Sequence, residues 1–429
     1  MKAPAKTHLT FHSEKTRILH LSTTAQRGGA AAAALSLHRS LRREGLDSRM
    51  IVREHNGLST SDGVYRPESL YARLSYRILK NAEIHLPRLL YRNLNALFSP
   101  AWTSSFSQQW LQQQAADIIH FHWINFGAFP LHLFSNIPGP VVWTFHDMWP
   151  FTGGCHYAGD CERYRENCGS CPTLGSSKLK DLSFQLMKRK KALYQPDRLS
   201  VVCPSHWMAK KAGQSALFKD QPIHVIPNGI DCETFQAADR IESRRHLGID
   251  PNGRYLFFAA VDATSDPRKG FDLLREALAR LSESGRDSIT DLKLLIAGSE
   301  QIPRGLPFPV VNLGRVKDRG MMAKAYAAAD VFVAPSLEDN LPNTVLESLA
   351  CGTPVVAFNT GGMPDMIMDS HNGRLVILKD PASLAEGITW VLEHPDPSKL
   401  REAARVTVEN KFTLGRQVEE YVNLYKSLL

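Results

Sequence analysis

A chain of 429 residues, 43% hydrophobic and 22% charged, is too long for one comfortable core and has the composition of a folded two-domain protein. It holds no run of the roughly 18–20 apolar residues that cross a bilayer, and Met1–Thr16 lacks the apolar segment of a secretory leader, so a cytoplasmic protein is expected. A net charge of +8 suits phosphorylated small molecules or an anionic membrane; without a zinc-finger pair, RNP motif or basic zipper, nucleic acid is not an expected partner.

In chain order, Arg17–Ser22 reads as a buried strand, Gly28–Gly29 breaks the pattern, and Ala30–Arg43 is made of strong helix formers. Met50–Val52, Asp117–Trp123, Val141–Phe145 and Leu199–Cys203 continue the strands. A second series follows at Ile223–Ile226, Tyr255–Ala260, Leu292–Ala297, Val331–Ala334 and Val355–Phe358. Helices are predicted over Phe271–Ser284, Met321–Ala329, Pro342–Ala350 and Ala382–Glu393, with a last one over Phe412–Leu428. This alternation predicts an α/β protein with two doubly wound parallel sheets. The expected division is 1–220, 221–410 and a closing segment 411–429 that returns to the first domain, with ligands at the carboxyl ends of the strands.

Five stretches carry chemistry. Ser265–Gly270 (SDPRKG) opens a helix, and Arg268 and Lys269 there could hold a diphosphate and stabilise the charge left when a glycosidic bond breaks. In Pro335–Phe358, Glu347 sits on a helix where its two oxygens can accept both hydroxyls of a ribose. The loop Asp339, Asn340, Leu341 offers backbone N–H groups and a second carboxylate for a sugar. Gly361–Gly362 allows close backbone approach or a tight turn. Gly28 and Gly29 leave room for a phosphate before a helix, although no GxGxxG fingerprint occurs. His146, directly after a strand, can hydrogen-bond a reacting sugar.

The order and spacing of these pieces resemble the GT-B fold glycosyltransferases of family 4 (group 1), nearest the colanic-acid and exopolysaccharide branch. GGA at Gly28, FHD at Phe145, SHWM at Ser205, IPNGID at Ile226, RKG at Arg268, LPNTVLESLACGTPVVA at Leu341 and GGMPD at Gly361 carry the resemblance. It implies two Rossmann-like domains facing a cleft and retention of anomeric configuration. It places Arg268 and Lys269 on the donor diphosphate, Gly28 and Gly29 near it, Glu347 on the ribose, the backbone near Val316 on the base and His146 beside the transferred sugar. Asp339 stands where the family usually has the first of two glutamates eight positions apart. Ala259–Ala260–Val261 replaces a frequent Gly-Arg pair, which leaves Arg268 to supply that charge. The implied partners are a nucleotide-diphosphate sugar donor and a glycan or polyprenyl-linked acceptor. No DxD occurs, so no cofactor is expected for catalysis. A nucleotide-sugar 2-epimerase and a non-catalytic nucleotide-sugar-binding protein share this architecture.

Two features fall outside that core. Cys155, Cys161, Cys168 and Cys171 form a C-x5-C-x6-C-x2-C insertion, which reads either as a structural zinc site or as free or redox-active thiols, with His156 as a spare ligand. Tyr71–Phe98 mixes Leu, Ile and Tyr with Arg73, Arg77, Lys80, Arg88 and Arg92, and Lys188–Lys191 adds four cations. Such segments either lie peripherally on the anionic inner face of a membrane or form ordinary surface helices.

Overall fold

The computed structural model describes residues 16–54, 60–66, 69–102, 104, 106, 108–137, 139–195, 198–259, 266–301 and 305–429. The start of the chain read above for a leader, together with Ala260, Val261 and Ser265, lies outside the described residues. The chain divides into two compact units, one of 1–203, 211–224 and 418–429, the other of 204–210 and 225–417.

The first unit is built on a seven-stranded parallel sheet of β1 (Arg17–Thr24), β2 (Asp47–Glu54), β3 (Val64–Tyr65), β4 (Ile118–Phe121), β5 (Val141–Thr144), β6 (Leu199–Cys203) and β7 (Ile223–Val225). Its order is β3-β2-β1-β4-β5-β6-β7, so the chain reverses its winding between β1 and β4. The central strands are buried almost throughout, His20 and His120 included, as a sheet covered on both faces requires. The helix α1 (Gly29–Arg43) follows β1 and buries its Ala and Leu face. The sequence pattern assigned Ile223–Val225 to the second series; it completes the first sheet instead, and the changeover falls at His224/Val225 rather than 220/221. Three residues flanked by polar positions carry no mark of which sheet edge they join. In the final helix, Leu414–Leu428, the part from Val418 belongs to this unit: Tyr421 meets Thr144 at 2.7 Å and Tyr425 meets His120 at 2.7 Å.

The second unit repeats the plan with β8 (Arg254–Ala259), β9 (Leu292–Ala297), β10 (Val310–Asn312), β11 (Val331–Ala334), β12 (Val355–Phe358) and β13 (Gly373–Val376), ordered β10-β9-β8-β11-β12-β13 and parallel throughout. The switch in winding again falls between the first and fourth strands, here β8 and β11, and opens a crevice at their carboxyl ends.

Candidate active site

In the second unit, Asp266 caps a short 3-10 turn, Pro267–Lys269, by accepting the N–H of Arg268, and this turn leads into the helix Phe271–Glu283. It lies on the carboxyl side of β8, where the loop after β11 comes alongside. Lys269 Nζ lies 2.7 Å from Asp339 Oδ2, and Arg268 Nη1 lies 3.3 Å from the same oxygen and donates to the carbonyl of Glu338 at 2.8 Å. Asp339 Oδ1 accepts the N–H of Asn340 at 3.1 Å. Burial alone would push the Asp339 carboxyl up, but Lys269 and Arg268 overcome it and hold it down at about 2. Arg268 Nη2 also pairs with Asp266 Oδ2 at 3.1 Å. Sequence reasoning placed Arg268, Lys269 and Asp339 in one site without foreseeing that the carboxylate pairs with both cations.

Gly361 and Gly362 serve packing rather than an open approach. A Cβ at Gly361 would stand 2.0 Å from the carbonyl oxygen of Asp339, and one at Gly362 1.7 Å from that of Asn340. The N–H of Gly362 donates to Asp339 O at 3.0 Å. The glycine pair therefore fixes the loop that aims Asp339 at its cations. The side chains of Asn340 and Leu341 turn inward: Ser205 Oγ donates to Asn340 Oδ1 at 2.6 Å, and Leu341 joins the core. Both side chains are thus engaged inside this unit.

Glu347 heads a neighbouring polar group on the helix Asn343–Ala350, which Pro342 precedes as N-cap rather than opening from within. Tyr326 donates to Glu347 Oε2 at 2.9 Å. Burial dominates here and lifts the carboxyl to about 7, against the opposing pull of Tyr326 and Arg319. Half-buried and poised between charge states, it is the kind of group that accepts hydroxyls once a ligand organises it. Val316 lies in the loop before the helix Arg319–Ala328, packed on the core beneath it. A cavity of about 250 Å³ in this unit lies elsewhere, at the amino-terminal edge of the sheet, lined by Arg240, Arg244, Asp330 and Arg401 among others. Asp330 takes up Arg240 and Arg244 there, and Arg401 bonds backbone carbonyls, so it is a structural knot.

In the first unit, Gly28 caps α1 with φ 92° and ψ 163°, a conformation that L side chains rarely adopt, and a Cβ there would meet nothing within 4 Å. The start of α1 at Gly29 carries no side-chain cap on Gly28. His146 follows β5 and belongs to a stack of imidazoles that sequence reasoning missed. His20 Nδ1 lies 3.0 Å from His122 Nε2, and His122 Nδ1 lies 3.1 Å from His146 Nε2. The rings of His20 and His122 stack with centroids 5.2 Å apart. Burial depresses all three and holds His146 at about 4, so the stack is neutral.

His20 Nε2 is buried without a partner. A bare lone pair costs less there than an orphaned N–H, which places the proton of His20 on Nδ1. The chain of bonds then runs outward, from His20 to His122 to His146, and leaves His146 protonated on Nδ1. The alternating H-x-H of His120 and His122 beside His20 on the next strand was the available signal. Among the described residues, His20, His120 and His122 are the set whose ligand atoms fall within 4.8 Å of one another. Apart from His20 Nε2, their nitrogens are engaged with each other, His146, Tyr425 and Thr144.

Asp147, next to His146, is scaffold. It accepts from His156 Nδ1 at 2.6 Å, Trp123 Nε1 at 2.8 Å and the N–H of Trp149 at 2.9 Å. His156 Nε2 meets Ser99 Oγ at 2.8 Å, so both of its nitrogens are taken and it is no spare metal ligand.

The chain is similar to known glycosyltransferases in both sequence and fold. Residues 27–234 match the profile described as Glycosyltransferase Family 4, and residues 253–394 match that of Glycosyl transferases group 1. WcaC of Escherichia coli (strain K12), assigned as a glycosyl transferase of colanic acid biosynthesis, is 25% identical over 96% of this chain and 100% of its own length. The D-inositol 3-phosphate glycosyltransferase of Frankia alni is 28% identical over 69% of this chain and 72% of its own. In fold, the chain is similar to Anabaena HepE solved with UDP and glucose, with a TM-score of 0.66, 17% identity and coverage of 96% and 100%. It is also similar to WaaG, a glycosyltransferase involved in lipopolysaccharide biosynthesis, with a TM-score of 0.63, 16% identity and coverage of 95% and 99%. With the doubly wound sheets and the motif order of both halves, these matches place the chain among the GT-B glycosyltransferases of family 4, group 1.

Proposed function

We propose that this glycosyltransferase moves a hexose from a nucleoside-diphosphate sugar to a glycan or polyprenyl-linked acceptor during assembly of a surface polysaccharide, with retention at the anomeric carbon and without a catalytic metal. The observation that carries the reading is the pair Arg268 and Lys269 held on Asp339 at the switch point of the second sheet. Two cations at that place suit the charge that accumulates on a departing diphosphate. Glu347 takes the ribose hydroxyls, and the backbone near Val316 takes the base. Gly28 and Gly29 serve the phosphate, and His146 donates from Nδ1 to a hydroxyl of the transferred sugar. Attack comes from the face the diphosphate leaves, and a leaving phosphate oxygen takes the acceptor's proton. The protein supplies positioning and fixed charge rather than a covalent nucleophile. HepE, by its description, was solved with UDP and glucose, and WcaC is assigned to colanic acid; both support a nucleotide-sugar donor and a polysaccharide product here.

The second helix, α2 (Leu70–Leu90), supports peripheral attachment to an anionic membrane. It buries Tyr76, Glu83 and Pro87 but leaves Leu70 79%, Leu74 57%, Ile78 60% and Leu89 75% exposed at helical spacing, beside the exposed Arg73, Arg77 and Arg88. An apolar stripe flanked by cations is the pattern of an interfacial helix. The run Lys188–Lys191 contributes less than its composition suggests. Lys190 is fully buried, Arg189 bonds the carbonyl of Ala101 and Lys191 that of Glu166.

The test begins with a thermal-shift screen of UDP, GDP, ADP and their sugars, followed by product analysis with the nucleotide sugar that binds. Transfer or slow hydrolysis is expected, with Lys269→Ala about 10²–10³-fold slower while its melting curve stays cooperative. Isomerisation of the sugar, or full turnover by Lys269→Ala, would overturn the reading.

A further inference from the structure

We propose that Cys155, Cys161, Cys168 and Cys171 bind one zinc ion as four thiolates, in a structural site that staples the insertion after β5. All four line a single cavity of about 20 Å³, bounded also by Gly153, Tyr164 and Ser183. That is room for about one small sphere and no organic ligand.

Three independent features fit an ion there. The first is hydrogen bonding to sulfur. The backbone N–H groups of Leu174 and Thr173 lie against the Cys171 sulfur, and that of Gly153 against Cys168. Donors aimed at sulfur stabilise thiolates and orient ligands about a metal. The second is backbone geometry at the closing C-x2-C. Cys168 has φ 56°, Gly169 φ 99° and Ser170 φ 40°, so consecutive residues accept a left-handed turn that brings the two sulfurs of the half-site to one side. The turn is held by Gly169 N–H on Ser183 Oγ at 2.9 Å and Cys171 N–H on Asp181 Oδ2 at 2.8 Å.

The third is charge. Lys190, on the helix Leu182–Leu193 that follows the insertion, is fully buried. Its described partners are neutral: the carbonyls of Trp149 and Thr152, and the ring of Trp149 at 3.7 Å. A buried ammonium without a counter-charge is strongly unfavourable. The groups near enough to supply one are Cys168, Cys155 and, already ionised but held by His156, Asp147. As thiols the four cysteines give it nothing. Four thiolates on Zn²⁺ carry a net −2, which compensates the ammonium.

Binding releases four thiol protons to solvent and forms four Zn–S bonds of about 2.3 Å. The described sulfurs are not yet gathered that closely, since the set within 4.8 Å of one another is His20, His120 and His122. Capture of the ion therefore draws the loop inward.

The test is elemental analysis of the full chain purified without chelator, which is expected to give about one zinc per chain. Titration with a mercurial should release that zinc as four thiols react, and the melting temperature should fall on release. Co²⁺ exchanged into the wild-type chain should show tetrahedral thiolate–cobalt absorption, a readout that needs no variant to fold. Cys168→Ser/Cys171→Ser should lose both the zinc and the cobalt spectrum, whereas His156→Gln should keep them. A metal-free chain with four freely titrating thiols, or one with two disulfides by mass, would overturn the proposal.

Discussion

Replacing Glu347 by Gln removes a charge and little else, because the amide oxygen can still accept from Tyr326. The carboxyl sits at about 7 instead of its ordinary 4.5, chiefly through burial. At 1.36 kcal/mol per pH unit, the ionised form costs the fold up to about 3.4 kcal/mol. Glu347 is only half-buried, and water at its open side trims this to roughly 1–3 kcal/mol. The sign follows from the direction of the shift. Below about pH 4.5 the group is neutral folded and unfolded and costs nothing; the cost grows as pH rises and is complete above about 7. Glu347→Gln should therefore match the parent at about pH 5 and exceed it at about pH 8 by roughly 3–10 °C in melting temperature, for a unit of this size. The buried histidines act in the opposite direction, since their neutral state loses stability on acidification. Only the difference between variant and parent at each pH isolates Glu347. The same change should weaken nucleotide binding about 10–100-fold, because a charge-assisted bond contributes about 1.5–3 kcal/mol. Differential scanning fluorimetry across pH, with and without the bound nucleotide, reads both effects. A parent–variant difference that does not change with pH would refute the account of Glu347.

Asp339→Asn should destabilise the second unit by about 2–3 kcal/mol at neutral pH. The wild-type carboxyl, held at about 2 against 3.8, contributes its stability above about pH 4 and loses it as pH falls through about 2; an unchanged urea midpoint at pH 7 would contradict this. His122→Phe severs the bonds to His20 and His146. It should lower kcat more than it raises the donor KM, while costing about 1–3 kcal/mol of stability; a pure KM effect would remove the positioning role. Leu74→Glu/Ile78→Glu on α2 should cut co-sedimentation with anionic vesicles at least tenfold, each lost apolar side chain being worth about 1.5–3 kcal/mol. Donor hydrolysis in solution should not change, and binding indifferent to lipid charge would count against attachment.

The sheets were legible in the sequence because buried parallel strands leave apolar runs that nothing else mimics. Arg17–Thr24, Leu292–Ala297 and Val331–Ala334 lie within two residues of their predicted bounds. Short edge strands were not: Val64–Tyr65, Val310–Asn312 and Gly373–Val376 owe their state to a neighbour rather than to their own pattern. At the site, RKG and the Asp339 loop could be read because they flank element boundaries. The pairing of Lys269 with Asp339 spans 70 positions and leaves no local trace. The His20–His122–His146 relay likewise joins residues 102 and 24 positions apart. Lys190 was misread as surface because a run of four cations says nothing about which one the helix turns inward.

The ion pair at Asp339 changes how donor affinity should be understood. Arg268 and Lys269 are not bare cations awaiting a phosphate: in the free chain the buried Asp339 carboxylate, shared between them, and Asp266 on Arg268 already neutralise them. For the diphosphate donor proposed above, binding is then an exchange of counter-ions, and its free energy is a difference between two strong interactions rather than the sum of two new ones. The exchange is worth most when the entering anion carries more charge than the carboxylate it competes with. That condition is met least by the bound sugar diphosphate and most by the nucleoside diphosphate left after transfer, whose terminal phosphate has gained a charge. The arrangement thus favours the departing state over the arriving one. Stabilisation of that kind speeds bond breaking instead of merely tightening the ground state. The glycines at 361 and 362, which admit no Cβ against Asp339 and Asn340, hold that carboxylate in place while its partners change.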